Sequence, residues 1–239
     1  MQTILGANGQ IGEELARELR RNFTSSIRIV MYPQDDRVLT EETAFDPVGR
    51  KGRVRRKMAE MVLKEIESGG LEAVICRAPE FYGPGKTQSI TNTLIFNNIK
   101  EGSKLKVPLS ANKKRSLIWT PDASRATALI GNTPDAFGQT WHLPVDKSHP
   151  TYKEFIRMAA GIYGRDLKYS VVRKLMFKIG SFFNKSVKEL LELLPRYEHD
   201  NLFDDSKFRT KFPDFQVTSY KQGISIIKDE QLSPNKIIK

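Results

Sequence analysis

Hydrophobic positions change period several times along the chain, and each change marks an element. Thr3-Ile4-Leu5 is a short apolar run that ends at Gly6. Ile11, Leu15 and Leu19 then recur at i, i+4 and i+8, with Ala16 beside them, which predicts one apolar helical face. Glu13 and Glu14 fall in the first turn of that helix and Arg17, Arg20 and Arg21 later, the order that the helix dipole favours. Ser25–Tyr32 follows as a second strand, Ile27, Ile29 and Met31 alternating with Arg28 and Val30. A polar loop bounded by Pro33 and Pro47 separates it from the most basic stretch of the chain, DPVGRKGRVRRKMAEMV (Asp46 to Val62).

That stretch carries Arg50, Lys51, Arg53, Arg55, Arg56 and Lys57, yet Val54, Met58, Met61, Val62 and Ile66 form a helical stripe that Ala59 and Leu63 broaden. The pattern predicts a helix with a buried apolar stripe and a solvated basic face, ended by Ser68-Gly69-Gly70. Leu71 to Pro79 is nearly continuous in apolar residues, as in a strand covered on both faces of a parallel sheet. A turn (EFYGPGK), a helix near Ile90–Glu101, strands in KLKVPL and RSLIWT, a helix in PDASRATALIG with Ala123, Ala126 and Leu129 inward, and a strand in TWHLPV come next. Beyond Thr151 helices dominate. Thr151 to Glu154 and Ser186 to Glu189 are both spaced as capping boxes, and Pro195 is expected to stop the second helix. VVRKLMFKIGSFF is apolar and basic together; a core or interface helix is the favoured reading over a membrane-surface one. The tail QLSPNKIIK is expected to fray.

Composition narrows the partners without choosing one. At 239 residues, one or two domains of roughly 100–200 residues are expected. The formal charge of +11 favours anionic partners, whether nucleic acid, an anionic membrane surface or phosphate-bearing ligands. Cys76 is the single cysteine, so no intramolecular disulfide can form, and it lies in an apolar run as a small buried hydrophobe would. His142, His149 and His199 lack metal-ligand spacing, and no metal is expected. No stretch approaches the roughly 20 apolar residues of a membrane span. MQTILGANG has no basic leader, and the cytoplasm is the expected compartment.

Gly6, Ala7, Asn8, Gly9, Gln10, Ile11 and Gly12 form the candidate phosphate-binding turn. The first glycine lets the chain turn sharply out of the strand. The second removes a side chain, so that backbone N–H groups can approach a pyrophosphate. The third lets helix and strand pack closely. The helix N-terminus then faces the anion. Strand, turn and amphipathic helix in that order make a dinucleotide the expected ligand, NAD or NADP.

With GANGQIG in this context, and CRAPEFYGPGK farther along, the chain resembles the extended short-chain dehydrogenase/reductase family, also called the NAD-dependent epimerase/dehydratase family. GxxGxxG is that family's glycine pattern. The second segment is similar to its R-P-x-N-x-Y-G-P-G, matched by Arg77, Tyr82, Gly83, Pro84 and Gly85, with Glu80 replacing the usual Asn. RSLIWTPDASRA resembles the segment where an Arg near the substrate, here Arg115, precedes an Asp, here Asp122. The resemblance implies an α/β fold: a Rossmann-like parallel sheet with helices on both faces over residues 1–150, and a small, mostly helical substrate region over 151–239. It implies an NAD(P)-binding oxidoreductase or epimerase acting on a small, nucleotide-linked or sugar-like molecule. A homodimer stays open.

Two departures stand out. The family's helix should carry Tyr-x-x-x-Lys, in which the cation lowers the Tyr pKa and the Tyr exchanges a proton with substrate. Aligning MAE with the family's K-x-x-x-E puts Gly52 at the Tyr position and Arg56 at the Lys position. The chain is also short in the middle. SIRIVMY runs straight into the segment that should follow the Ser/Thr-bearing strand, as though central strands were missing between Val30 and Met31. With the Tyr-x-x-x-Lys pair absent, Tyr82, Glu80 and Tyr32 are the candidate catalytic acids, Glu80, Tyr82 and Arg115 candidate substrate contacts, and Arg56 a candidate cofactor contact. The competing readings are a non-catalytic dinucleotide-binding or sensing module and, as the disfavoured one, nucleic-acid binding through residues 50–57, which lack an aromatic stacking platform.

Overall fold

Parallel strand pairs organise the molecule. The computed structural model describes residues 32–47, 49–85, 87–183, 191 and 193–233. The Gly6–Gly12 turn, the second predicted strand up to Met31, the Val30–Met31 junction and the Ser186 capping box all lie outside the described residues. Strand β1 is Val38–Leu39, helix α1 Arg50–Glu67, β2 Ile75–Arg77 and β3 Glu80–Tyr82. A π-helical turn at Asn92–Phe96 runs into α2, Asn97–Lys100. Then come β4 (Leu105–Pro108), β5 (Leu117–Trp119), α3 (Thr120–Gly131) and β6 (Thr140–His142). Helix α4 (Tyr152–Tyr163), β7 (Tyr169–Val172), α5 (Lys174–Phe183), β8 (Leu202–Phe203), α6 (Ser206–Lys211) and α7 (Tyr220–Leu232) complete the order.

Four strand pairs, β1–β8, β2–β6, β3–β5 and β4–β7, are all parallel. Parallel pairs need crossovers, and here helices supply several of them, which is the Rossmann-like α/β arrangement. Strands from either side of residue 150 pair with one another in β1–β8 and β4–β7. The Leu71–Pro79 run narrows to a three-residue strand with all three side chains buried. Two larger core clusters and a smaller one, Tyr32 with Leu39 and Phe203, are found among the described residues. Of the larger two, one gathers Tyr82, Phe96, Trp119, Phe155, Tyr220 and Ile224; the other gathers Cys76, Ile118, Ile130, Trp141 and Phe208. Each such side chain contributes roughly 1.5–3 kcal/mol on burial. Burial also pushes the Cys76 thiol up to about 12, so it packs as an inert hydrophobe.

Local signals act as expected at α4, where Thr151 and Glu154 form a full capping box. Ser219 and Gln222 form another at α7, carried by the sequence SYKQ. Three expectations need correction. In α3, Ala123 and Ala126 face inward but Leu129 is exposed, and Ile130 takes the core position. In α1, Val54, Met58 and Met61 face solvent; Ala59 is the buried residue of that stripe. In α5, only Phe177 is buried, which overturns the core half of the core-or-interface reading and leaves the interface half untouched. In α1 and α5 the periodicity is right, but no layer among the described residues covers the stripe: a stripe is buried only where another layer packs on it.

Candidate functional site

Strands β2 and β6 end in register, Arg77 opposite His142. In parallel α/β sheets, ligands bind outside the carboxyl ends of the strands, so these two side chains sit where chemistry is expected. Both are buried, and both reach Tyr32. Arg77 Nη1 donates to the Tyr32 hydroxyl at 2.6 Å and to the Glu41 carbonyl at 3.1 Å. Its guanidinium lies 4.4 Å from the centre of the Phe45 ring. His142 Nδ1 is 2.8 Å from the Asp204 carbonyl, which can only accept, so Nδ1 carries the proton and Nε2 is the free base. The Tyr32 hydroxyl lies 2.5 Å from that Nε2 and donates to it; the Thr40 carbonyl, at 3.2 Å, is its alternative acceptor. The backbone N–H of His142 donates to Glu41 Oε1 at 2.8 Å.

Burial raises the Tyr32 phenol to about 12, against the lowering pull of Arg77. Burial also lowers the His142 imidazole, against Glu41. Both are therefore neutral near pH 7, a phenol–imidazole pair sharing one proton beside a fixed cation. Because the fold favours the neutral phenol, its contribution to stability is complete below the ordinary value of 10.0 and is lost as pH rises toward about 12. Spectrophotometric titration of Tyr32→Phe should lack one phenol ionising near 12, and the variant's stability should fall less steeply above pH 10. Identical titrations of parent and variant would show that the phenol is not held this way.

Helix α1 approaches the same place. Arg56 donates from Nε to Glu60 at 2.6 Å and from Nη1 to the Phe45 carbonyl at 3.2 Å, so Arg56 and Arg77 meet on one residue, Phe45. Gly52, one turn earlier, packs on the loop. A Cβ there would lie 2.6 Å from Pro47 Cβ.

Glu80 and Arg115, predicted as separate substrate contacts, meet in a second buried cluster. Arg115 Nη2 donates to Glu80 Oε2 at 2.9 Å, and Nη1 to the carbonyls of Arg196 and His199. Glu80 Oε1 accepts from Tyr152 at 2.5 Å, Tyr197 at 3.0 Å and Thr91 at 3.0 Å. Burial would raise the Glu80 carboxyl, but the charges of Arg115 and Arg196 and the Tyr152 hydroxyl hold it below its ordinary value. This set ties β3, β5 and α4 to the turn around Tyr197. Tyr82 is wholly buried among Trp119, Phe155 and Tyr220, its hydroxyl against Gly223. The YGPG turn closes on α3: a Cβ on Gly83 would lie 2.0 Å from Thr120 Oγ1.

The structure thus brings together Tyr32 and Arg56 at one place and Glu80 with Arg115 at another. His142 is the member of the first cluster that metal-ligand spacing does not reveal. Its signal is its place at the carboxyl end of a strand, which TWHLP does display.

No helix among the described residues is long and apolar enough to cross a membrane. Residues 23–143, slightly more than half of the chain, match the NAD dependent epimerase/dehydratase family. The matched stretch contains Tyr32, Gly52, Arg56, Arg77, Glu80, Arg115 and His142 but not the Gly6–Gly12 turn. Protein y4nL of Sinorhizobium fredii is 31% identical over 150 residues, 62% of this chain and 41% of that protein. A UDP-glucuronic acid 4-epimerase variant from Bacillus cereus, solved with a fluorinated UDP-sugar and NAD, superposes with a TM-score of 0.69 at 13% identity, over 94% of this chain and 67% of the other. A dTDP-glucose 4,6-dehydratase from Bacillus anthracis in complex with NAD gives 0.64 at 14% identity, over 98% and 68%. The UDP-glucose 4-epimerase of Thermus thermophilus, also with NAD, gives 0.65 at 13%, over 91% and 67%. The chain therefore spans about two thirds of the solved structures and less than half of the curated relative. At these identities the superpositions establish the fold, and the sequence match establishes the lineage: the chain belongs to the NAD-dependent epimerase/dehydratase family.

Proposed function

We propose that the chain is an NAD(P)-binding protein of the epimerase/dehydratase type, holding the cofactor at Gly6–Gly12 and taking a nucleotide-linked or sugar-like molecule. The family match over residues 23–143 carries this reading. The likeness to solved epimerases and dehydratases that hold NAD and nucleotide sugars supports it. The described residues fit such a cofactor in part. Arg56 offers an exposed cation one residue's reach from the Tyr32–Arg77 cluster, suited to a ribose hydroxyl or phosphate. Positions 52 and 56 do not fit the family's proton-transferring Tyr and Lys. A glycine has no acid group, and a guanidinium does not titrate in the working range.

That misfit favours a second reading, a dinucleotide-binding or sensing module without turnover. Titration with NADH and NADPH, followed by nicotinamide fluorescence, tests the shared part. Saturable binding of at least one is expected, and Gly9→Val should abolish it by filling the space that the pyrophosphate needs. No binding of either at millimolar ligand would refute both readings, and undiminished affinity in Gly9→Val would refute the site. Adding UDP-glucose or UDP-glucuronic acid to the NAD-loaded protein then separates the two. Chromatography of the nucleotide sugar reads the outcome, because such an enzyme returns its hydride to the sugar and regenerates bound NAD: a new nucleotide sugar supports turnover, and unchanged substrate with bound NAD supports the module.

A further inference from the structure

We propose that α5 seats the protein on an anionic lipid surface. The helix presents Leu175, Met176, Ile179, Phe182 and Phe183 to solvent at 66%, 61%, 53%, 85% and 88% exposure. At the helical rotation of about 100° per residue, the five fall within an arc of about 120°, so they form one stripe. Phe177, the buried residue of the helix, projects from the far side. Lys174 and Lys178 line one edge of the stripe. The contrast with the rest of the fold is sharp: Phe96, Phe155, Phe203 and Phe208 are all buried, whereas two adjacent phenylalanines here are almost fully exposed.

Charge selects the occupant. Residues 168–183 include Lys168, Arg173, Lys174 and Lys178 and not one Asp or Glu. The only ion pair that α5 makes among the described residues, Lys174 with Glu198 at 3.3 Å, is exposed on both sides and holds the lysine loosely. An aromatic and aliphatic stripe edged by lysines is the pattern of a helix lying in a membrane interface, rings among the acyl chains and ammonium groups at the headgroups. A second copy of this chain is the poorer fit. Its α5 offers no carboxylate for these cations, and association would bring together two bodies of net charge +11. An anionic bilayer supplies both the apolar phase and the counter-charge.

The test uses the full chain and sedimentation with extruded vesicles, either pure phosphatidylcholine or an equal mixture of phosphatidylcholine and phosphatidylserine. Binding is expected to the anionic vesicles, weakened by salt, and much less to the neutral ones. Phe182→Ser/Phe183→Ser and Lys174→Glu/Lys178→Glu should each reduce it by about tenfold or more. Both variants alter exposed side chains, so their circular dichroism and melting should match the parent; a single Phe183→Ser serves if the double variant misfolds. Wild type that stays in the supernatant overturns the proposal, as does equal binding by the variants. So does a dimer in analytical ultracentrifugation that Phe182→Ser/Phe183→Ser dissociates while vesicle binding is absent, which would assign the stripe to a second copy. None of these outcomes depends on dinucleotide binding.

Discussion

Arg115→Leu should lower the stability of the fold by about 3–5 kcal/mol, the loss typical when one partner of a buried ion pair is removed. Arg115 and Glu80 are both almost wholly buried, at 1% and 5% side-chain exposure. The guanidinium also satisfies the carbonyls of Arg196 and His199 and lies 4.6 Å from the centre of the Tyr197 ring. Its removal strands a carboxylate, two carbonyls and a ring face at once. The pair itself contributes much less than its breakage costs, because both charges had to leave water. Glu80→Leu/Arg115→Leu should therefore recover part of the loss. It should not recover all of it, since Tyr152, Tyr197 and Thr91 would lose their shared acceptor.

The pH dependence provides a second check. In the parent the folded-state Glu80 pKa lies below its ordinary value of 4.5. Its contribution is present above that value and lost as pH falls through the folded one. Without Arg115, burial acts on the carboxyl with less opposition and drives its pKa up, so the variant gains relative stability as the pH falls. The gap between parent and Arg115→Leu should narrow toward acid pH in urea denaturation. A gap below about 1 kcal/mol at neutral pH, or one that widens with acid, would mean that the cluster is hydrated and Glu80 and Arg115 are open to ligand.

What could be read in advance follows from the range of each interaction. The capping box at Thr151 is a contact over three residues, and the apolar run at Leu71–Pro79 is continuous, so both are visible in a short window. The Tyr32 cluster is not, because its bonds span 45 residues to Arg77 and 110 to His142. Glu80 and Arg115 each stand in a segment that resembles the family's pattern. That they neutralise one another depends on β3 lying beside β5, which no local pattern states. The stripes of α1 and α5 failed differently. Apolar spacing predicts a face, and only the neighbouring layer decides whether that face is covered.

Rebuilding the family's pair as Gly52→Tyr/Arg56→Lys should not create turnover, and should destabilise the protein by about 1–3 kcal/mol through overpacking. Glycine inside a helix ordinarily costs about 1 kcal/mol relative to alanine, so a substitution here would help if space allowed. It does not: the added Cβ would stand 2.6 Å from Pro47 Cβ, and the rest of a tyrosine must follow it. Relief requires the Phe45–Pro47 loop to move. That loop holds the Phe45 ring against the Arg77 guanidinium and the Phe45 carbonyl against Arg56. Lysine at 56 has a single ammonium and cannot bridge Glu60 and Phe45 in the forked geometry of the arginine. The double variant therefore loses an anchor on each side of the loop and disturbs the cation beside Tyr32. Urea denaturation measures the first effect, and chromatography of UDP-glucose or UDP-glucuronic acid after incubation with the NAD-loaded variant measures the absence of turnover. A variant as stable as its parent that converts either nucleotide sugar would show that only two side chains separate this chain from turnover. The contact at Gly52 says instead that Pro47 occupies the space that any side chain at 52 would need first.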